Sequence, residues 1–474
     1  MAAHTTAGRC DPPGATPAGW TRARARAGLT GALAALTALA LLIVTGAVQA
    51  RPTAEEIERL GKDLTPLGAE RAGNKDGSIP AWEGGITKPP AGYDASKGLT
   101  DPFAADKPLY TVNAGNADQY KDKLTPGQLA LLKRYPGYTL AVYPTRRSAA
   151  FPESIYAAVK AEAGKIETAN DGNSVVGVVG STVPFPVPKS GVEAIWNHAF
   201  RYRGGTLVRN TTEFPVQANG SFTPVRRYEE TIFGNGLKDV PNVLFYFRTN
   251  YLAPSSIAGE ALLAHDFIDQ VKQPRAAWVY NPGTRRVLRA PHVAYDTPRT
   301  GTDGLSTVDD YDAFNGSPDR FEWKLLGKRE LIVSYNNSRL TDKKLKYSDI
   351  IQAATMNQQL VRYELHRVWV VEATLRPGKS HVYGKRVYYL DEDSWQIVHG
   401  DLYDGRGELW RVLEVHGAQF YDGPAYFIAG TAQYDLQARR YVSSGLTNEE
   451  KPIRFNVPMK VADFSADALR RSSN

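Results

Sequence analysis

Apolar residues return along this chain with two periods. Up to about residue 200 they recur every three or four positions, as on one face of a helix; beyond Tyr202 they alternate with polar residues, as in a strand. Ile155, Val159, Ala163 and Ile166 predict an amphipathic helix between Pro152 and Thr168, and Val192, Ile195, Trp196 and Ala199 predict another behind a cap at Ser190. Thr53 with Glu56, and Thr125 with Gln128 behind Pro126, are capping boxes that open two more helices. From Leu64 to Lys107 turn formers dominate. So long a loop must wrap over the rest or move freely, and Ile79, Trp82, Ile86 and Tyr93 are apolar anchors for wrapping. The prolines between Val183 and Pro188 halt regular structure and mark a soft boundary.

Beyond it, alternating runs between Thr206 and Val442 are joined by short turns such as Asn281-Pro282-Gly283, Arg376-Pro377-Gly378 and Asp404-Gly405, which specify an antiparallel meander. About eleven strands in one sheet cannot stay flat, because twist accumulates. The sheet is expected to curl around a filler. Ser255 to Lys272 reads as that filler, a helix with Ile257, Leu262, Leu263, Phe267 and Ile268 on its apolar side; a shorter helix is expected from Ser348 to Leu360. The fold class is therefore α+β, a large curved antiparallel sheet wrapped around helices behind a helical and extended preface. The chain divides into residues 1–50, 51–188 and 189–474.

The first division is an export signal. Gly28 to Val48 carries no charge, Arg22, Arg24 and Arg26 precede it, and Val48-Gln49-Ala50 suits cleavage after Ala50. The alternative is retention as a membrane anchor, for which the run is long enough. The expected location is the periplasm, with membrane association if the segment stays. Cys10, the single cysteine, leaves with the signal, which removes thiol catalysis and cysteine-bound metal from the mature chain. Of 57 Lys+Arg and 50 Asp+Glu, the signal takes Arg9, Arg22, Arg24, Arg26 and Asp11, leaving 53 against 49. So small an excess is no nucleic-acid footprint. The 25 Tyr, 8 Trp and 16 Phe say more, because they concentrate after Ile195 and favour sheet and apolar cavity.

Catalytic patterns are missing: there is no Gly-x-Ser-x-Gly elbow, no His-Glu-x-x-His pair and no Gly-x-Gly-x-x-Gly behind a strand. No catalytic residue, metal ligand or cofactor is assigned. His399 and Asp401 share a strand face and suit a proton-transfer pair or a metal, or else a polar pair facing water. Asp309, Asp310 and Asp312, with Asn315 and Asp319, suit a hard cation or a capped helix with solvated charges. Large apolar groups line strand faces at Phe245, Phe247, Trp278, Tyr280, Trp369, Val371, Tyr388 and Trp395. These are the candidate cavity lining, or else plain core. Arg285 and Arg289 share a strand face and are candidate clamps for a carboxylate or phosphate head group, or ordinary salt-bridge partners. If the sheet leaves space, each buried CH₂ of an acyl chain is worth about 0.8 kcal/mol.

Thr53 to Gly85, Trp278 to Pro291, Asp309 to Arg320 and Leu365 to Thr374 together resemble the domain of unknown function family 1329, described as outer-membrane lipoprotein-sorting-like. The resemblance covers essentially all the mature chain. It implies the fold of periplasmic lipoprotein carriers, an incomplete antiparallel barrel over helices that holds acyl chains, and work beside a resistance-nodulation-division type exporter and an outer-membrane protein. It carries over no site residue, and the long preface here departs from the compact carriers. The leading expectation is a non-enzymatic periplasmic carrier or chaperone for a lipid-like or acylated molecule. The alternatives are an adaptor subunit of such a transport complex and, last, an unfamiliar hydrolase.

Overall fold

The computed structural model describes residues 51–472 apart from 238, 239, 292 and 294. The export signal read at residues 1–50 lies outside the described residues, and no helix among those described is long and apolar enough to cross a membrane. The alternating runs become strands, and the turns between them set the pairing. Strands β1 (Thr206–Val216), β2 (Val225–Phe233), β3 (Val243–Ala253), β4 (Ala261–Phe267), β5 (Ala276–Asn281) and β6 (Arg286–Arg289) follow as hairpins out to one edge of the sheet. Strand β7 (Phe321–Ser334) starts at the far edge. From there β8 (Tyr363–Leu375), β9 (Lys385–Asp391), β10 (Ile397–Tyr403), β11 (Leu409–Phe420), β12 (Ala425–Asp435) and β13 (Arg440–Leu446) meander back until β13 pairs with β1. The result is a mixed α+β fold around one large antiparallel sheet that does not close into a barrel. Short strands at Tyr110–Val112, Leu140–Val142 and Arg454–Phe455 bring it to sixteen.

One connection cannot be a hairpin. Between β6 and β7 the chain must pass from one edge to the other, and it does so across one face of the sheet, touching Arg209 of β1, Phe247 of β3, Arg386 of β9 and Gln433 of β12 on the way. This crossing segment, residues 290–320, is the filler. The helix expected from Ser255 to Lys272 does not form: its centre is β4, paired with both β3 and β5. The misreading has a physical cause. Strand β4 is covered on both faces, so Leu262 and Ala264 point one way while Leu263 and Phe267 point the other, and apolar groups on both faces imitate a helical stripe. The helix expected from Ser348 to Leu360 shrinks to one turn at Tyr347–Ile350 and a 3₁₀ turn at Gln358–Leu360.

The preface helices begin where their caps predict. Helices α1 (Ala54–Glu58), α2 (Pro126–Arg134) and α4 (Gly191–Phe200) follow Thr53, Thr125 and Ser190, each accepting a backbone N–H three residues on. The intervening α3 (Glu153–Glu162) stops earlier than expected, and Glu167–Ala169 pairs with Ser174–Val176 instead. Helix α2 sits on the outer face of the sheet. Gly127 N–H donates to Asp401 there (3.0 Å), and a Cβ at 127 would lie 2.2 Å from that carboxylate oxygen, so the contact requires glycine. His399 and Asp401 are consequently buried beneath Thr125 and Tyr389, not turned to water as one expectation had it. A C-terminal helix, Ala466–Ser472, covers the outer face of β3 to β5 through Leu469, joined by Phe464.

Burial of histidine makes the fold acid-sensitive. His198 accepts Ile397 N–H at Nδ1 (3.1 Å) and meets the Asp312 carbonyl through Nε2 (2.9 Å). His416 meets Ser334 Oγ at 2.6 Å. Burial pushes both from 6.5 down to about 3. With the folded value below the unfolded one, the stability each gives is complete above about pH 6.5 and is lost as pH falls toward 3. The stability difference between the protein and His416→Asn should therefore shrink by on the order of 2 kcal/mol from pH 7 to pH 5. Denaturant midpoints at the two pH values measure it, and a constant difference would contradict the assignment.

Candidate functional site

Register places Leu207, Thr231, Phe247 and Ala264 opposite one another on the inner face of β1 to β4, with Arg209, Arg227 and Phe245 in phase with them. The crossing segment lies over this face without filling it. A cavity of about 230 Å³ remains between β2 to β5 and residues 293–315, walled by Phe245, Phe247, Leu262, Ala264 and Val279. A narrower one of about 70 Å³ adjoins it beneath β1 and β11 to β13. Phe245, Phe247, Arg227, Arg299, Tyr311 and Asn315 line both. A third cavity, about 280 Å³, lies beside Phe200, Phe233 and Leu244 and shares Arg203 and Phe233 with the narrow one.

Tyr311 stands between the first two. Its ring centroid is 5.4 Å from that of Phe247, its hydroxyl donates to Glu229 (3.2 Å), and it receives an N–H from Arg209 (3.1 Å). Burial first, then Glu229, pushes this phenol up to about 12. The neighbouring acids all accept hydrogen bonds from side chains. Asp309 accepts from Arg386 (2.7 Å) and His381 (3.1 Å), Asp310 from Tyr383 (2.8 Å) and Gln433 (2.9 Å), and Asp312 from Arg201 and Arg203. The guanidinium groups hold the Asp309 and Asp312 carboxyls well below the usual range despite burial. Neither the solvated acidic loop nor the cation loop considered from sequence describes them, since Arg386 of β9 and Arg201 and Arg203 behind α4 supply positive charge to Asp309 and Asp312, and Asp310 is held by uncharged donors. Asp319 accepts instead from Tyr295 (2.8 Å).

The residues singled out from sequence scatter. Phe245 and Phe247 line the cavities. Trp278 and Tyr280 point to the opposite face of the sheet, in register with Leu263 and Ala261, and pack with Leu469 and Phe464. Trp369, Val371 and Tyr388 face inward but lie in a packed cluster with Ile195 of α4 and Phe314. Trp395 is fully buried, stacked on Trp369 with centroids 6.1 Å apart, and its indole N–H donates to the Leu67 carbonyl (2.9 Å). Arg285 and Arg289 are exposed on the edge hairpin of β5 and β6 and are not among the residues lining these cavities. Arg203, Arg209, Arg227 and Tyr311, which do line them, escaped notice. The available signal was charge in phase with apolar positions, as in Arg227-x-Glu229-x-Thr231-x-Phe233.

Among the described residues one trio presents metal-ligand types together, His366, Asp391 and Asp393. Arg147 grips both oxygens of Asp393 (2.7 and 2.9 Å), and Tyr335 and Ser394 donate to Asp391 (3.0 and 2.6 Å). Burial, then Asp393, pushes the Asp391 carboxyl up to about 7. This is a buried ion-pair network joining the preface to the β9–β10 turn.

The inner face of this single sheet is thus crossed by the chain's own connection and left incompletely filled. Residues 111–470 match the model of the family described as protein of unknown function DUF1329, and the chain belongs to that family. An uncharacterized protein of Pseudomonas aeruginosa is 49% identical over 440 residues, spanning 91% of this chain and 96% of that one. Among solved structures, an outer membrane lipoprotein-sorting protein domain from Vibrio parahaemolyticus is similar at 16% identity, covering 59% of this chain and 98% of that one with a TM-score of 0.42. A DUF1329 family protein from Desulfovibrio piger is similar at 14% identity, with 56% and 92% covered and a TM-score of 0.40.

Proposed function

We propose that this protein is a periplasmic carrier or chaperone for a lipid-like or acylated molecule, whose tail occupies the space between β2 to β5 and the crossing segment. The observation that carries the reading is the apolar cavity of about 230 Å³ left open beside Phe245 and Phe247. An engineered apolar cavity of roughly 150 Å³ already takes benzene. A ten-carbon tail gains on the order of 8 kcal/mol from burial before the entropic costs of association. A longer tail needs the contiguous space toward Phe233, or displacement of Tyr311. Export fits the signal read at residues 1–50, and delivery to or from a resistance-nodulation-division type exporter and an outer-membrane protein is the pathway we favour.

Native mass spectrometry of protein purified from its own host tests the carrier reading. A co-purified amphiphile is expected. Ala264→Phe, which puts a ring into the 230 Å³ cavity, is expected to abolish that adduct and to weaken binding of a dodecyl-chain probe at least tenfold while leaving the melting temperature unchanged or higher. A consistently empty protein held by a stable membrane partner would favour the adaptor reading instead.

A further inference from the structure

We infer that the guest bears one negative charge at the head of its tail, and that Arg203, which lies between the narrow cavity and the one beside Phe200, holds that charge; this rests on the carrier reading above. The argument is a count of buried charge. Asp312 is shared by two guanidinium groups, Arg201 and Arg203. Deeper along the same face Glu213 and Glu229 serve three, Arg209, Arg227 and Arg299. One more carboxylate lines the narrow cavity, Asp310, and its Oδ2 accepts only from uncharged donors, Thr307 N–H, Tyr383 and Gln433. Five cations therefore face four anions. The pairs at the margin, Arg275 with Asp266 and Arg386 with Asp309, are balanced. His198 beside Arg201 adds no charge near neutrality, being pushed down to about 3. Glu260, partly exposed next to β4, stands at the other end of the 230 Å³ cavity beside Tyr251.

A buried cation without a full counter-charge is costly, and a protein keeps one where a ligand completes it. Arg203 is the group so placed. It is 7% exposed, lines the narrow cavity and the one beside Phe200, and its Nε has no partner. Its guanidinium lies 4.4 Å from the Phe233 ring, so the same spot offers an apolar wall and an ionic donor. Burial and the like charge of Arg201 pull it down to about 10, as expected for a cation short of anions. A planar guanidinium suits a carboxylate or a phosphodiester equally. From that point Phe245 and Phe247 lead a tail into the larger cavity.

Calorimetric titration of delipidated mature protein at pH 8 tests this with three probes of one chain length: dodecanoate, dodecanoyl lysophosphatidylglycerol and uncharged monododecanoylglycerol. At least one anion is expected to bind tenfold or more tightly than the uncharged probe, and the stronger anion tells a fatty acid from a phospholipid head group. Arg203→Gln should erase the preference while keeping affinity for monododecanoylglycerol, and Arg203→Lys should restore part of it. The double variant Arg285→Ser, Arg289→Ser should keep it whole. Equal binding of all three by the unmodified protein overturns the inference and leaves the carrier reading intact, a comparison that holds even if Arg203→Gln does not fold. A preference lost in the edge variant moves the head group to Arg285 and Arg289 and also overturns it. Binding of none of the probes removes the carrier reading itself.

Discussion

Arg147→Met is expected to cost about 3–5 kcal/mol of stability, the range for breaking a buried ion pair from one side. Arg147 is the fastener between the preface and the sheet. Its side chain is 2% exposed, binds both oxygens of Asp393, and donates to the carbonyls of Glu70 (2.7 Å), Arg71 (3.3 Å) and Pro80 (3.4 Å). Methionine keeps much of the volume and none of the donors. It leaves Asp393 uncompensated beside Asp391, in a site where burial already penalises ionisation. Lysine should rescue little, because a single ammonium cannot span two carboxylate oxygens and three carbonyls. Urea denaturation measures the loss, and a change below about 1 kcal/mol would show the network to be dispensable.

Asp312→Asn is the second large effect. It keeps a residue suited to the left-handed backbone at this position (φ 55°) and leaves the main-chain carbonyl available to His198. It removes the charge that Arg201 and Arg203 share. Two buried guanidinium groups then lack a counter-ion, and a loss of about 3–5 kcal/mol is expected. The crossing segment should loosen with it, giving faster amide exchange over residues 309–320 than in the unmodified protein. If an anionic guest completes the charge at Arg203, dodecanoate should raise the melting temperature of this variant more than that of the parent. Equal shifts would separate the pairing role of Asp312 from ligand binding.

How much of this was legible before the fold was known depends on distance along the chain. Thr53, Thr125 and Ser190 cap helices by bonding groups three residues away, so their meaning is complete in the local sequence. The turns at Asn281 and Asp404 are equally local, and they made a broad antiparallel sheet readable, although the connection expected to turn shortly at Arg376 extends over residues 376–384. Phe245 and Phe247 were legible as sharing one face by alternation, and the structure makes that face the inner one. Trp278 and Tyr280 obeyed the same alternation and point outward, because parity defines two faces without saying which is inner.

The sequence by itself determined the helix starts, the strand alternation, the turns and the excess of aromatic side chains, all set by contacts spanning a few residues. Only the tertiary structure decided that residues 290–320, and not Ser255 to Lys272, fill the concave side, because that follows from β1 lying mid-sheet with β6 and β7 at opposite edges. It also decided that Asp309 and Asp312 meet arginines more than 70 residues away, and Asp310 the uncharged Tyr383 and Gln433, in place of water or a cation. Charge pairing in a core is a property of which surfaces are pressed together, and no window of the chain contains both partners.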